Sequence, residues 1–157
     1  MIEQQEEQQP PNSKEQWNIC THNVQGINEK IKQTLLLDFC KEQHIDLLGI
    51  NETWLNPNNK WRDPENKYKI ILSTTSQQIK GSGVGFIITN RLAPHIYNTQ
   101  EHNNRGMFIE LAFRGNIKYH IINIYKPSNI SNKQEIKNLF NWLKTAISQA
   151  ISKISTQ

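Results

Sequence analysis

Apolar and polar positions alternate from Trp17 to Val24, the period of a half-buried β-strand, and Gln25-Gly26 ends the run. From Asn28 the period changes. Ile31, Leu35, Phe39 and Cys40, joined by Leu36, recur at helical spacing as far as about His44, which predicts an amphipathic helix with those residues inward. Asn28 is placed to cap it, and Glu29 falls in the first turn, where the helix dipole favours an anion. Ile45-Asp46-Leu47-Leu48-Gly49-Ile50 is then a short apolar run, the pattern of a strand buried on both faces. A strand, a helix long enough for a crossover and a second strand predict parallel pairing of the two strands.

Residues 53–66 mix Asn, Pro and charge and predict a loop. Short strands follow at 68–73, 84–89, 96–100, 106–113 and 118–125, with a polar turn over 77–83 and a hairpin turn at Gly115-Asn116. A last helix is predicted from Asn132 to Ile154, with Ile136, Leu139, Phe140, Leu143, Ile147 and Ile151 along one face. The order is mixed α/β with a run of strands in the middle and no internal repeat.

Composition changes this picture at the N-terminus. Residues 1–15 are rich in Glu and Gln and hold Pro10-Pro11, which predicts a disordered leader ahead of one domain over 16–157. The chain has 157 residues, a natural size for a single domain, and carries a net charge of +4. Setting the leader aside leaves 17 Lys+Arg against 10 Asp+Glu, a basic body that suits a polyanionic partner or simply a lysine-rich soluble surface. Cys20 and Cys40 do not have metal-ligand spacing and read as buried thiols. No apolar run reaches membrane-spanning length and the N-terminus is polar, so an intracellular place, nuclear or cytoplasmic, is expected, with no membrane partner.

Two residues stand where chemistry collects. Asn23 ends the first strand and Glu52 follows the second, and in open α/β sheets ligands gather at the carboxyl ends of strands. If the strands are parallel neighbours, a carbonyl oxygen and a carboxylate converge there, both hard ligands of the kind magnesium takes alongside water and phosphate. The plainer reading makes Asn23 a turn former and Glu52 a surface acid.

The context for choosing is a resemblance. WNICTHNVQGI (17–27), a helix, and IDLLGINETWL (45–55) resemble the opening of the endonuclease/exonuclease/phosphatase superfamily, which includes DNase I, abasic-site endonucleases and the endonucleases of LINE-type retrotransposons. GSGVGFIIT (81–89) resembles its glycine-rich strand, and RGMFIELAFRGNIKYHIINIYKPSN (105–129) the strand pair ending in Y-x-P. Four such stretches occur in order, and the Trp after Glu-Thr leans toward the retrotransposon branch. The resemblance implies Asn23 as the active-site asparagine, Glu52 as the metal carboxylate for Mg2+ and Tyr125 as the tyrosine that helps hold the scissile phosphate. It sets Arg105 at a position where repair members carry a substrate-facing arginine, a solvated arginine being the alternative. Lys126 is either a phosphate contact or a solvated charge.

The resemblance also implies metal-assisted hydrolysis of a phosphoester, with nucleic acid as the partner. The family's G-D-F-N and S-D-H motifs do not occur in this sequence, and none of the five histidines takes their place. The expectation is therefore a truncated member without turnover of its own. A fragment of an intact nuclease or phosphatase, and a non-catalytic nucleic-acid-binding or interaction module, remain alternatives. The expected architecture is α/β, the N-terminal half of a DNase I-like four-layer sandwich: a mixed sheet with helices on its outer face, lacking the second sheet. Its uncovered face would drive self-association or call for a complementary half.

Overall fold

The computed structural model describes residues 16–55, 60–73, 80–128 and 132–154. The leader at 1–15, residues 56–59 of the predicted loop and residues 77–79 of the predicted turn lie outside them. The elements run β1 (Ile19–Asn23), α1 (Lys30–Glu42), β2 (Leu47–Asn51), β3 (Tyr68–Leu72), β4 (Val84–Thr89), β5 (Ile96–His102), β6 (Gly106–Ala112), β7 (Lys118–Ile124) and α2 (Lys133–Ile154). Every predicted strand and helix is present, with ends moved by one or two residues.

β1 and β2 pair in parallel, Ile19 opposite Leu47 and Asn23 opposite Asn51, as the strand–helix–strand order requires. β4 and then β3 add antiparallel, giving a mixed sheet in the order β1-β2-β4-β3. The remaining strands do not join it. β5, β6 and β7 form a second, antiparallel sheet of three strands, which corrects the expectation that a second sheet is lacking. The change of sheet falls at Asn90–His95, where Leu92 and Ala93 are buried in a tight turn that carries the chain across to the other layer. The β6–β7 connection is the predicted one: Gly115 and Asn116 both take positive φ, at 77° and 61°.

The two sheets face each other. Leu47, Val84, Phe86 and Ile88 from the first pack against Met107, Ile109 and Leu111 from the second. On the far side of the first sheet, Leu48, Ile50 and Ile87 pack against Leu36, Leu37 and Cys40 of α1. α2 covers the outer face of the second sheet, with Leu139 fully buried and Trp142 lying against Gly106. Each buried Leu, Ile or Phe contributes about 2 kcal/mol through apolar burial. The broad uncovered sheet face expected from the sequence is therefore absent, because each helix serves one sheet and the inner faces bury each other.

Both helices turn differently from expectation. In α1 the buried side is Gln33, Leu36, Leu37 and Cys40, while Ile31, Leu35 and Phe39 are exposed. Gln33 is inside because its Nε2 donates to Ile27 O at 2.9 Å, satisfying a loop carbonyl. Asn28 does not cap α1; its Nδ2 donates to Trp54 O at 2.7 Å, and Glu29 takes the cap position without a side-chain bond. In α2, Leu139 and Ala146 are buried, whereas Phe140, Ile147 and Ile151 are exposed. Cys40 is buried as expected, but Cys20 is exposed on β1. Among the described residues no helix is long and apolar enough to cross a membrane.

Candidate active site

The parallel ladder does not stop where β1 and β2 stop. Val24 N donates to Asn51 O at 2.9 Å, Gly26 N to Glu52 O at 2.8 Å and Ile27 N to Thr53 O at 3.0 Å, so the two following loops stay zipped together. Three residues of these loops take left-handed backbone, Gln25, Glu52 and Trp54, with φ of 47°, 56° and 46°. Gly26 is needed here: its φ is 89°, and a Cβ would lie 2.8 Å from the Trp54 ring.

This geometry brings Asn23 and Glu52 together. Asn23 Nδ2 donates to Glu52 Oε1 at 2.8 Å, and Asn23 Oδ1 accepts from Gln25 N at 3.2 Å. The third sequence-derived residue arrives from the other sheet. Tyr125, just past β7, donates its hydroxyl to the same Glu52 oxygen at 2.5 Å. Two donors on one oxygen favour the ionised carboxylate: the Tyr125 hydroxyl first and the Asn23 amide second hold the Glu52 pKa below its usual value. Conversely, the bond to Glu52 raises the Tyr125 pKa, with burial adding to it.

The glycine-rich stretch supports the same place from behind. Thr53 N donates to Gly83 O at 3.3 Å and Trp54 N to Ser82 O at 3.2 Å, so the strand before Val84 backs the Glu52 loop. Gly83 has φ of 92°, and any Cβ there would collide with Thr53 Oγ1.

Arg105 is not a solvated charge. It is buried, its Nε donates to Glu135 Oε1 on α2 at 2.6 Å, its Nη1 donates to Gly81 O, and its guanidinium lies over the Tyr125 ring at 5.5 Å. Its carbonyl also accepts from Tyr125 N at 2.7 Å. Arg105 thus fixes Tyr125 and adds positive potential at Glu52. Lys126 is exposed and stands outside the hydrogen-bonded cluster.

Sequence reading passed over two contributors. Lys80 is exposed, sits over the Trp54 ring at 5.7 Å and adds its charge to the field at Glu52. Asn123 is buried between the sheets, its Nδ2 donating to Ile50 O and Gly85 O at 3.1 Å each, and so pins the strand that delivers Tyr125. The signal for Asn123 was present: Ile121, Asn123 and Tyr125 share one face at period two, and a polar residue on an inward face calls for buried partners.

Glu52 Oε1 is occupied by Asn23 and Tyr125, and Oε2 accepts no hydrogen bond among the described residues. One carboxylate oxygen beside hydrogen-bond donors is the kind of protein contribution magnesium takes when water and phosphate complete its shell. No group of three His, Cys, Asp or Glu able to hold a metal occurs among the described residues. The histidines lie elsewhere: His95 stacks on Phe113, His102 on Trp142, and His120 pairs with Glu110. No protein-family model matches the chain. A comparison with curated proteins likewise gives no match.

Proposed function

We propose that this chain carries the metal- and phosphate-holding part of a magnesium-dependent phosphodiesterase site of the endonuclease/exonuclease/phosphatase type, on the N-terminal portion of a DNase I-like sandwich. The observation that carries the reading is the convergence on one carboxylate. Asn23, Glu52 and Tyr125 come from three separate motifs and two different sheets, yet share a single oxygen, Glu52 Oε1. A strand-end asparagine, a loop carboxylate and a tyrosine from the facing sheet meet at the carboxyl ends of strands, where ligands of open α/β sheets bind.

In this reading Glu52 Oε2 is the protein's ligand to Mg2+, which when bound polarises a phosphoryl oxygen and stabilises the leaving oxygen. Asn23 and Tyr125 hold the carboxylate in place, and Asn23 Nδ2 keeps a second N–H to offer beside it, while Arg105 and Lys80 supply positive field for an anionic substrate. No histidine and no second acid bonds to Asn23, Glu52 or Tyr125 among the described residues, and Glu135 reaches the cluster only as the partner of Arg105. Catalytic groups act as a unit, and the proposal is binding without appreciable turnover. The basic body favours nucleic acid, a polyanion, over a small phosphoester with one or two charges.

The test joins two readouts. With Mn2+ as a paramagnetic probe, NMR signals of residues 23, 52 and 125 should broaden selectively, and Glu52→Gln should remove the effect. Supercoiled plasmid with Mg2+ should be nicked no faster by the native chain than by Glu52→Gln. Absence of selective broadening would overturn the metal site, and nicking abolished by Glu52→Gln would overturn the claim of no turnover. A nucleic-acid-binding module without metal chemistry would instead show salt-dependent affinity indifferent to Glu52.

A further inference from the structure

The two sheets present four edges, β1 and β3 in one and β5 and β7 in the other. Three of them carry features that discourage strand addition. β3 has an exposed lysine, Lys69, at its second position. β5 has an irregular register between Ile96 and Asn98 and an exposed acid, Glu101. β7 opens on Lys118 and is half-buried or buried from His120 to Ile124. β1 has none of these. All five residues of Ile-Cys-Thr-His-Asn are exposed, the run holds no Lys, Arg, Asp, Glu or Pro, and its register with β2 is regular.

The surface beside this edge is apolar as well. Ile31, Leu35 and Phe39 of α1 are 66%, 62% and 46% exposed. Leu35 and Phe39 line a groove of about 350 Å³ that runs to His22 on β1. The register explains the adjacency: Cys20 and His22 stand opposite Leu48 and Ile50, whose side chains face α1. A bare strand edge and an open helix stripe therefore form one continuous surface.

We propose that a second copy of this chain covers that surface, β1 pairing antiparallel with its counterpart across a twofold axis. Such an axis, normal to the sheet, also sets α1 antiparallel beside α1 of the copy on the same face, so each stripe fills the other's groove. The charges agree with this arrangement. α1 carries Lys32 beside the groove in its first turn and Glu42 at its end, and antiparallel helices bring these ends together; Lys41, the basic residue of the last turn, is held by Glu65 at 2.5 Å and Asp38 at 3.3 Å within the chain. An uncharged strand edge likewise meets its own copy without repulsion. The leader is a poor competitor for the edge, because Glu and Pro are disfavoured in strands. The inference is independent of the chemistry assigned to Glu52.

Sedimentation of the full chain over a concentration series should show a species of twice the 18.3 kDa protomer mass. Thr21→Lys on β1 and Leu35→Lys on α1 should each weaken dimerisation at least about tenfold, since each sets like charges against each other in a closed seam. Thr99→Lys on the β5 edge should leave it unchanged. Backbone amides of β1 should gain exchange protection as concentration rises, and unchanged circular dichroism should show that the variants fold. A monomer up to about 0.1 mM, where even weak specific association registers, would overturn the inference. So would a dimer that survives both lysine variants. Protection of β1 that ignores concentration and vanishes on removal of residues 1–15 would overturn it too, assigning the edge to the leader.

Discussion

Replacing Tyr125 by Phe removes one hydroxyl and leaves the ring over which Arg105 lies. The hydroxyl's bond goes to an ionised carboxylate, and hydrogen bonds to charged groups contribute about 1.5–3 kcal/mol when buried. Glu52 is only half-buried, so solvent screening reduces that to about 1 kcal/mol. For a chain of this length the melting midpoint should fall by about 3 °C. The pH dependence discriminates further. The folded-state pKa of Glu52 is depressed, first by Tyr125, so its contribution is present above the unfolded carboxylate value of about 4.3 and is lost as pH falls through the lower folded value. Tyr125→Phe should therefore destabilise at pH 7 and progressively less toward pH 3, while the Glu52 carboxyl titrates at higher pH than in the native chain. Urea denaturation at both pH values, at one fixed protein concentration, measures the first effect, and NMR titration of the Glu52 side-chain carbon measures the second. An equal loss of stability at both pH values, or a Glu52 pKa that does not rise, would refute the account of the site.

Three further outcomes follow from the structure. Gly83→Ala, at φ of 92° and in collision with Thr53, should cost about 2–3 kcal/mol and lower the melting midpoint accordingly. Asn123→Ala removes two hydrogen bonds that Nδ2 adds to the ladder carbonyls Ile50 O and Gly85 O and leaves a gap between the sheets, and should cost about 1–2 kcal/mol in urea denaturation. Burial pushes the Cys40 thiol up to about 11, so a thiol reagent at neutral pH, with the chain diluted to monomer, should modify exposed Cys20 promptly and Cys40 only as the chain unfolds; a native chain that titrates two thiols at once would contradict this.

The site was more legible in the sequence than the packing was. Asn23 and Glu52 could be placed because both close short strands whose parallel pairing follows from the helix between them, and a residue's position at a strand end is a local property. The face of α1 could not be fixed the same way. Leu35, Leu36 and Leu37 are consecutive, so stripes through Ile31-Leu35-Phe39 and through Gln33-Leu36-Leu37-Cys40 are both available, and tertiary contacts with Ile50 and Ile87 choose the second. The second sheet was hidden for a related reason. Adjacent apolar pairs such as Ile87-Ile88 show that a strand is covered on both sides, but not whether helix or sheet supplies the cover. Arg105 sits in the turn just before β6, and its partners were not foreseeable, since Glu135 lies thirty residues away on a different element.

The backbone ladder joining residues 24–27 to 51–53 has a consequence for how the protein breathes. Its bonds run between segments that contribute different functional side chains, so neither loop can open without dragging the other's amides into water. Asn23 and Glu52 then keep or lose their mutual hydrogen bond as a single event. A substitution that loosens either loop is therefore expected to loosen both, despite the helix that separates them in the chain.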